Sequence, residues 1–195
     1  MTTVSKTRKL VGTAMLAAVS VVLMFLAFPV PLMPSFIKLD LAELPALIGA
    51  FAYGPLAGAA VCLVKNLVSL MKSSSGGVGT LCNFLLGVLF VVPAGLIYKT
   101  HRTRVGALVG ALIGAAVMAV LSIPLNYYLV YPIYTAFRPM EAIIGMYQAI
   151  NPKVQTLWQA LIWFNCPFTF VKGLISVVIT FLIYKPLSPF LKGRQ

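Results

Sequence analysis

Three polar side chains share one face of the last apolar run of the chain. Asn165, Thr169 and Lys172 follow one another at spacings of four and three residues, which places them on the same side of a helix. An ammonium group inside a membrane helix is costly, so it needs an anion or a carbonyl group nearby. The spacing predicts a polar binding face, but a structural lysine that reaches toward the membrane interface would give the same pattern.

Pro167 lies inside the same run, between Asn165 and Thr169. Its ring nitrogen carries no hydrogen, so the carbonyl of Trp163 loses its usual helical partner and the helix is expected to kink. Unpaired backbone is tolerated at membrane depth where it lines a cavity. The proline therefore favours a cavity beside these polar residues.

Two of the three acidic residues of the chain, Asp40 and Glu43, stand together in a proline-rich segment between two apolar runs. If this segment folds over the helices, Leu39 and Asp40 would cap the cavity. Its apolar side chains would then cover a flat ligand: Leu32, Met33, Phe36 and Leu39. Alternatively, Asp40 caps the second helix or pairs with Lys38.

Further polar residues interrupt other apolar runs. Asn126 is a candidate ligand contact, although the tyrosines beside it are also typical of an interfacial aromatic belt. Asn83 lies near the start of the fourth helix, where capping or packing is an alternative to binding. Lys65 in the third helix could reach the interface or contact a neighbouring helix.

The sequence lacks the residues that catalysis or metal binding would need. No phosphate-binding G-x-x-x-x-G-K-[ST] motif occurs, and the only histidine, His101, lies among cations without a carboxylate partner. Cys62, Cys82 and Cys166 match no metal-binding spacing and are expected to be free thiols that pack as small apolar side chains. We expect no catalytic residue, no metal and no cofactor, and no ATP hydrolysis by this chain.

The composition of the chain indicates what surrounds its surface. The chain is 61% hydrophobic and 9% charged, whereas a soluble domain has about 25% charged residues. Most of its surface must therefore face lipid. The net charge of +12 does not indicate a nucleic-acid partner, because the basic residues lie at the ends of apolar runs rather than on one solvated face.

The apolar runs predict an all-α, polytopic membrane protein that forms a single domain over residues 1–195, with six transmembrane helices. The first run is longer than a signal-peptide core and is followed by prolines, so it is expected to be retained. The second and third helices are short for a bilayer and are expected to sit partly inside the protein. The predicted helices span about 10–28, 41–54, 56–71, 78–98, 105–129 and 155–184.

Flanking charge sets the orientation of these helices. With six spans, the side of the membrane that holds both termini carries nine lysines and arginines, and the other side carries four. The positive-inside rule therefore places both termini in the cytoplasm and all three acidic residues outside. The predicted location is the cell membrane.

The chain resembles the substrate-binding S components of energy-coupling factor (ECF) vitamin transporters, and among them the riboflavin-binding subfamily. The resemblance covers nearly the whole chain and is carried by "FIKLDLAELPALIGAFAYGPLAGAAVCLVKNLVSL", "LNYYLVYPIY" and "PFTFVKGL". It implies six helices, no enzymatic activity, and capture of a vitamin at the outer face beneath the first external loop. It also implies partners: a transmembrane scaffold subunit and two cytoplasmic ATPase subunits.

The resemblance assigns roles to particular residues. Asp40, Asn126 and Lys172 match positions that bind riboflavin in the family. Thr169 departs from it, because the family usually has asparagine there, and a hydroxyl reaches less far than an amide. Ala14 and Ala18 match the small residues by which the first helix docks on the scaffold subunit, although their spacing alone is equally typical of packing within one bundle.

Together these features predict a high-affinity riboflavin-binding subunit whose uptake activity is driven by partner ATPases, with the first external loop as its gate. Two alternatives remain. One is an S component for another vitamin, such as thiamine or folate. The other is a self-sufficient secondary transporter, which would need a titratable acid within the membrane.

Overall fold

The computed structural model describes residues 5–35, 37–71 and 77–192, with side-chain positions up to residue 183. Phe36, the predicted loop at 72–76 and the basic residue Arg194 lie outside the described residues.

The described residues are mostly helical, with one small antiparallel hairpin between the first two helices. Two segments of π-helix interrupt the later helices. In chain order the elements are α1 (Lys6–Phe25), β1 (Phe28–Pro29), β2 (Lys38–Leu39), α2 (Glu43–Tyr53), α3 (Pro55–Leu70), α4 (Val78–Thr100), α5 (Arg104–Leu125), a π-helix (Asn126–Val130), α6 (Tyr131–Tyr134), α7 (Met140–Gln148), α8 (Leu157–Ala160), a second π-helix (Leu161–Asn165) and α9 (Cys166–Lys192).

Within the described part of the chain, four helical stretches are long and apolar enough to cross a membrane: Lys6–Phe25, Val78–Thr100, Arg104–Tyr134 and Leu157–Ile183. These stretches confirm the expected membrane protein of the all-α class. α2 and α3 are apolar but shorter.

The first helix is shifted from its predicted position. It begins at Lys6, where the Ser5 side chain accepts a hydrogen bond from the Arg8 N–H, and it ends at Phe25 rather than residue 28. The chain then turns into the hairpin, which the sequence did not predict, and Phe28 pairs with Leu39. The hairpin places the segment between its strands at one end of the bundle as a lid.

α2 lies inside the bundle, as its length suggested. Its residues from Glu43 to Phe51 are all buried, so it is apolar on every side because protein surrounds it. Gly54 has a φ of 102°, a left-handed conformation that glycine adopts without strain, and Pro55 begins α3 directly after it. The sharp turn at Gly54 stacks α2 and α3 side by side.

Close packing joins α4 to α5. A Cβ atom added at Gly114 would overlap the carbonyl oxygen of Phe90, and one at Gly110 would come within 2.8 Å of the carbonyl oxygen of Ala94. Glycine at these two positions lets the helix backbones approach, which is how membrane helices commonly associate.

The last two long helices differ from prediction near the lid. The predicted fifth helix continues past residue 129 to Tyr134, and the following loop contains α7. The predicted sixth helix begins at Leu157 rather than 155, behind a capping box formed by Thr156 and Gln159. It ends at Lys192 rather than 184, as α9 continues through the prolines that were expected to stop it.

Each π-helix ends two residues before a proline, Pro132 in one case and Pro167 in the other. A π-helical turn moves the hydrogen-bond pattern by one residue, so it accommodates a ring that cannot donate an N–H group. The interruption expected at Pro167 therefore takes the form of a π-helix. Asn126 begins the first π-helix and Asn165 ends the second.

Candidate functional site

A cavity of about 580 Å³ lies beneath the lid. Its volume falls within the range of small-molecule sites, roughly 300–1,000 Å³. The lid, the end of α1, the start of α2, α4, α5, the two π-helices, α6 and α9 all contribute to it. Its polar lining consists of Ser35, Lys38, Asp40, Glu43, Cys82, Asn83, Asn126, Tyr131, Tyr134, Arg138, Asn165, Thr169 and Lys172.

The structure brings together six of the seven side chains that the sequence predicted for the site. The six are Asp40, Asn83, Asn126, Asn165, Thr169 and Lys172. Leu39, the seventh, is not among the described residues that line the cavity. Since successive side chains of a strand point to opposite faces, Lys38 and Asp40 face the cavity and Leu39 between them does not.

The apolar cover of the lid also differs from expectation. Leu32 is 78% exposed, and neither it nor Met33 appears among the described cavity-lining residues. Ile37 lines the cavity in their place. Which apolar side chain of the lid faces the cavity depends on the register of the hairpin, and the amino-acid composition of the lid does not reveal that register.

Lys172 and Asp40 form an ion pair, with 3.1 Å between Nζ and Oδ2. Both residues are 8% exposed, so protein covers the Lys172 side chain. The other oxygen of Asp40, Oδ1, accepts a hydrogen bond of 2.9 Å from the Ala42 N–H. Asp40 is not the cap of α2, because that helix begins at Glu43 after Ala42. Its partner is Lys172 rather than Lys38.

Glu43, which the sequence analysis left on the outer loop, is a buried member of the site. It is 3% exposed, and its Oε2 lies 3.1 Å from Lys172 Nζ. Its Oε1 accepts a hydrogen bond of 2.6 Å from Lys65 Nζ. The scarcity of acidic residues and the unexplained Lys65 were the available signals, but their pairing depends on how α2 packs against α3.

These contacts join Asp40, Lys172, Glu43 and Lys65 into one buried charge network. Two carboxylates face two ammonium groups, so the network is neutral as a whole. Buried charges are tolerated when each has an opposite partner, whereas removing one partner leaves an uncompensated charge. The balance explains how four ionised groups persist within an apolar bundle.

Asn126 is oriented by its neighbours. Its Nδ2 donates a 2.7 Å hydrogen bond to the carbonyl of Ser122, and its Oδ1 receives only a weak contact of 3.6 Å from Cys82 Sγ. A thiol is a poor donor, so Oδ1 keeps capacity to accept a stronger bond. Asn126 therefore presents an acceptor to the cavity.

Asn165 is oriented in the opposite sense. Tyr147 of α7 donates a 2.8 Å hydrogen bond to Asn165 Oδ1, and the Tyr131 hydroxyl lies 2.8 Å from that of Tyr147. Burial raises the pKa of Tyr147, so its hydroxyl remains a protonated donor. With Oδ1 occupied, Asn165 offers its Nδ2 donor to a ligand.

The sequence analysis missed two exposed cations at the cavity, Lys38 and Arg138, and the aromatic rings of Tyr131, Tyr134 and Phe168. Tyr134 ends α6, and Arg138 lies in the connection between α6 and α7, whose path no local pattern indicates. The rings provide flat apolar surface beside the polar groups.

The predicted docking residues lie on the outside of α1. Ala14 and Ala18 are exposed, whereas Ala17 between them is 3% exposed and belongs to the core. Ala14 and Ala18 thus leave a shallow stripe on the surface of the bundle, and packing within the chain does not account for them.

The chain is similar in sequence to known proteins. The family model described as "ECF transporter, substrate-specific component" matches residues 8–184. The chain is 35% identical over 193 residues to "Riboflavin transporter FmnP" of Bacillus subtilis (strain 168), covering 97% of each chain. It is 32% identical over 185 residues to "Riboflavin transporter RibU" of Staphylococcus aureus (strain TCH60), covering 95% of this chain and 93% of the relative.

A solved structure has the same fold. It is described as "Structure and mechanism of the S component of a bacterial ECF transporter" and superposes with a TM-score of 0.77 at 32% sequence identity. The match covers 96% of this chain and 99% of that one.

Proposed function

The chain belongs to the family of substrate-specific components of ECF transporters, and we propose that it binds riboflavin as the membrane-embedded subunit of an ATP-driven uptake system. It is a multi-pass protein of the cell membrane, in a family of transporter components rather than enzymes. Two relatives that it matches over most of their length carry the name riboflavin transporter. The ligand is cargo, and we propose no cofactor and no metal.

The opposed orientation of Asn126 and Asn165 at one cavity is the observation that carries this proposal. One edge of the flavin ring alternates a carbonyl, an N–H group and a carbonyl. The Oδ1 acceptor of Asn126 suits the N–H group, and the Nδ2 donor of Asn165 suits a carbonyl. The rings of Tyr134 and Phe168 offer apolar surface to the flat ligand.

The hydroxylated tail of riboflavin would lie beside the ion pair of Lys172 and Asp40. Lys172 and Asp40 supply charged donors and acceptors, and the Thr169 hydroxyl both donates and accepts. The tail is uncharged, so it can enter beside a network that is already neutral. Asn83 lies on the exposed side of the lining and would contact the entering ligand. Leu39 would support the lid through the hairpin.

We further propose that residues 1–195 form one domain with six spans and both termini in the cytoplasm. α2 and α3 have 11 and 16 residues, which gives lengths of about 16 and 24 Å. α2 can be short because protein covers it. The lid then lies on the outer face, where it closes over the vitamin and opens when the protein reorients.

Energy must come from partner subunits, because this sequence carries no nucleotide-binding motif. We propose a transmembrane scaffold and two ATPases. The exposed stripe of Ala14 and Ala18 supports docking of α1 on the scaffold, since small residues let helices approach closely in lipid.

One measurement tests the ligand. The full chain, purified in detergent from cells grown with riboflavin, should show flavin absorption in near-equal amount to protein. After removal of the flavin it should quench the fluorescence of added riboflavin at submicromolar concentration, with thiamine and folate as comparison ligands. A colourless protein that leaves riboflavin fluorescence unchanged would overturn the proposal, and saturable binding of thiamine or folate instead would replace the ligand.

A further inference from the structure

Lys65 has no explanation in the binding site itself. It belongs to α3, is 2% exposed, and is not among the described residues that line the cavity. A fully buried lysine in a membrane bundle is costly and calls for a specific role. Its Nζ lies 2.6 Å from Glu43 Oε1, so it acts on α2 rather than on a ligand.

Glu43 transmits this contact to the site. Its two carboxylate oxygens face different cations, Lys65 on one side and Lys172 on the other, at 2.6 and 3.1 Å. Lys172 in turn shares its charge between Glu43 and Asp40, each at 3.1 Å. The position of the Lys172 ammonium therefore depends on attraction by two carboxylates, that of Asp40 next to the hairpin and that of Glu43 on α2.

Lys65 sets that balance. Without it, Glu43 would carry a full charge with Lys172 as its remaining ion-pair partner among the described residues. The ammonium would be drawn toward α2 and away from Asp40. Three cluster members would then hold two negative charges and one positive charge in an apolar surrounding, which is unfavourable for any buried group.

We propose that Lys65 is a positioning residue that acts through Glu43 to hold the Lys172 ammonium between Asp40 and the ligand. This inference rests on the proposed function, since it concerns the affinity of that same site. Lys65 compensates part of the negative charge of Glu43, on the carboxylate oxygen that faces away from Lys172. The Lys172 ammonium can therefore pair with Asp40 and bond to a ligand in the cavity. No contact between Lys65 and the ligand is involved.

The test asks whether Lys65 affects riboflavin affinity through its charge or only through packing. Lys65→Met keeps most of the apolar length and removes the charge, and we expect riboflavin affinity to fall about tenfold or more, as for groups coupled in one network. Glu43→Gln combined with Lys65→Met removes one charge of each sign and leaves the Asp40–Lys172 pair balanced. The double variant should therefore bind more tightly than Lys65→Met alone.

The measurements are riboflavin titrations of full-length protein in detergent, with the melting temperature recorded for each variant. Lys65→Arg should keep affinity near that of the unsubstituted protein, because it preserves the charge. If Lys65→Met binds riboflavin unchanged, or if the double variant is weaker than Lys65→Met, the inference is overturned. If Lys65→Met does not fold, the double variant is compared with Glu43→Gln alone, which leaves one positive charge in excess: tighter binding by the double variant supports the inference, and equal or weaker binding overturns it. If the unsubstituted protein does not bind riboflavin, it is the proposed function that fails.

Discussion

Asp40 and Lys172 are 132 positions apart in the chain, and their side chains meet at 3.1 Å. The first follows a strand of the lid and the second lies within α9. This ion pair therefore connects the end of the hairpin that carries the lid to α9. If the ligand bonds to Asp40 and Lys172, as proposed, binding and closure of the lid are expected to depend on the same atoms.

The ion pair predicts a strong effect of Lys172→Ala. The substitution removes the ammonium, which takes from Asp40 its ion-pair partner and leaves Glu43 with Lys65 alone. Affinity for riboflavin should therefore fall by about a hundredfold, as expected when one partner of a buried charge pair is truncated. Fluorescence titration measures this loss. Lys153→Ala, at an exposed lysine between α7 and α8, is the matched control and should bind normally. Equal affinities of the two variants would remove Lys172 from the site.

Tyr147→Phe tests the orientation of Asn165. The substitution removes one hydroxyl and retains the ring that packs on Phe164. Asn165 Oδ1 then loses its donor and the amide can rotate, so we expect affinity to fall about tenfold, the size of one buried hydrogen bond.

A double-mutant cycle separates this effect from general loss of packing. In an Asn165→Ala background, Tyr147→Phe should cause little further loss, because the amide that it orients is gone. Tyr128→Phe, at a ring that is 74% exposed, serves as the control and should not alter binding. Additive losses in the cycle would contradict a positioning role.

The contrast between Asn165 and Tyr147 illustrates how far the sequence leads. Asn165, Thr169 and Lys172 were found because helical spacing places them on one face, which is a local property. Tyr147 could not be found, because its role depends on α7, a helix within a segment that the sequence presents only as a long loop. Membrane insertion and the long apolar helices follow from composition, and Pro167 indicated an interruption although not its π-helical form. The hairpin depends on pairing between distant residues.

Glu43 marks the same limit in the charge network. Its position beside Asp40 indicated a loop residue, and only the packing of α2 against α3 brings it to Lys65. Leu39 is not among the described residues that line the cavity for a related reason, because the register of a strand decides which of its faces meets a cavity. Local patterns therefore indicated several of the polar residues that line the cavity, but not the residues that orient them.

A modified ligand tests the acceptor of Asn126. Riboflavin methylated at the ring N–H of its carbonyl-flanked edge cannot donate a hydrogen bond there, so the protein should bind it about tenfold or more weakly than riboflavin, since a buried acceptor is left unpaired. The preference should disappear in Asn126→Ala, which binds both ligands weakly. Competition against riboflavin fluorescence measures both affinities. A preference that survives in Asn126→Ala would assign the ring edge to another residue.

The exposed stripe of α1 predicts a selective loss of assembly. Ala14→Leu combined with Ala18→Leu fills the shallow surface, so co-purification with the scaffold and ATPase subunits should be lost, because larger side chains prevent close helix approach. Riboflavin binding by the isolated protein should not change, since both residues are exposed and neither is among the described residues that line the cavity. Val120→Leu on the exposed face of α5 is the control for added apolar bulk. A complex that still forms with the double variant would place docking elsewhere.

The α4–α5 contact links stability to the site. α5 carries Met118 into the cavity one turn after Gly114. Gly114→Ala would place a methyl group against the Phe90 carbonyl, and overpacking of this kind costs about 1–3 kcal/mol. We expect a lower melting temperature in detergent and weaker riboflavin binding, because α5 must move away from α4.

Gly145 provides the matched control for this prediction. It lies in α7, and a Cβ atom added there meets nothing within 4 Å. Gly145→Ala should keep both melting temperature and affinity, or raise the melting temperature slightly, because alanine favours a helix over glycine by up to about 1 kcal/mol. If both alanine variants melt alike, the close approach of α4 and α5 does not limit stability. If Gly114→Ala lowers stability but leaves affinity intact, the cavity does not depend on how closely α5 packs against α4.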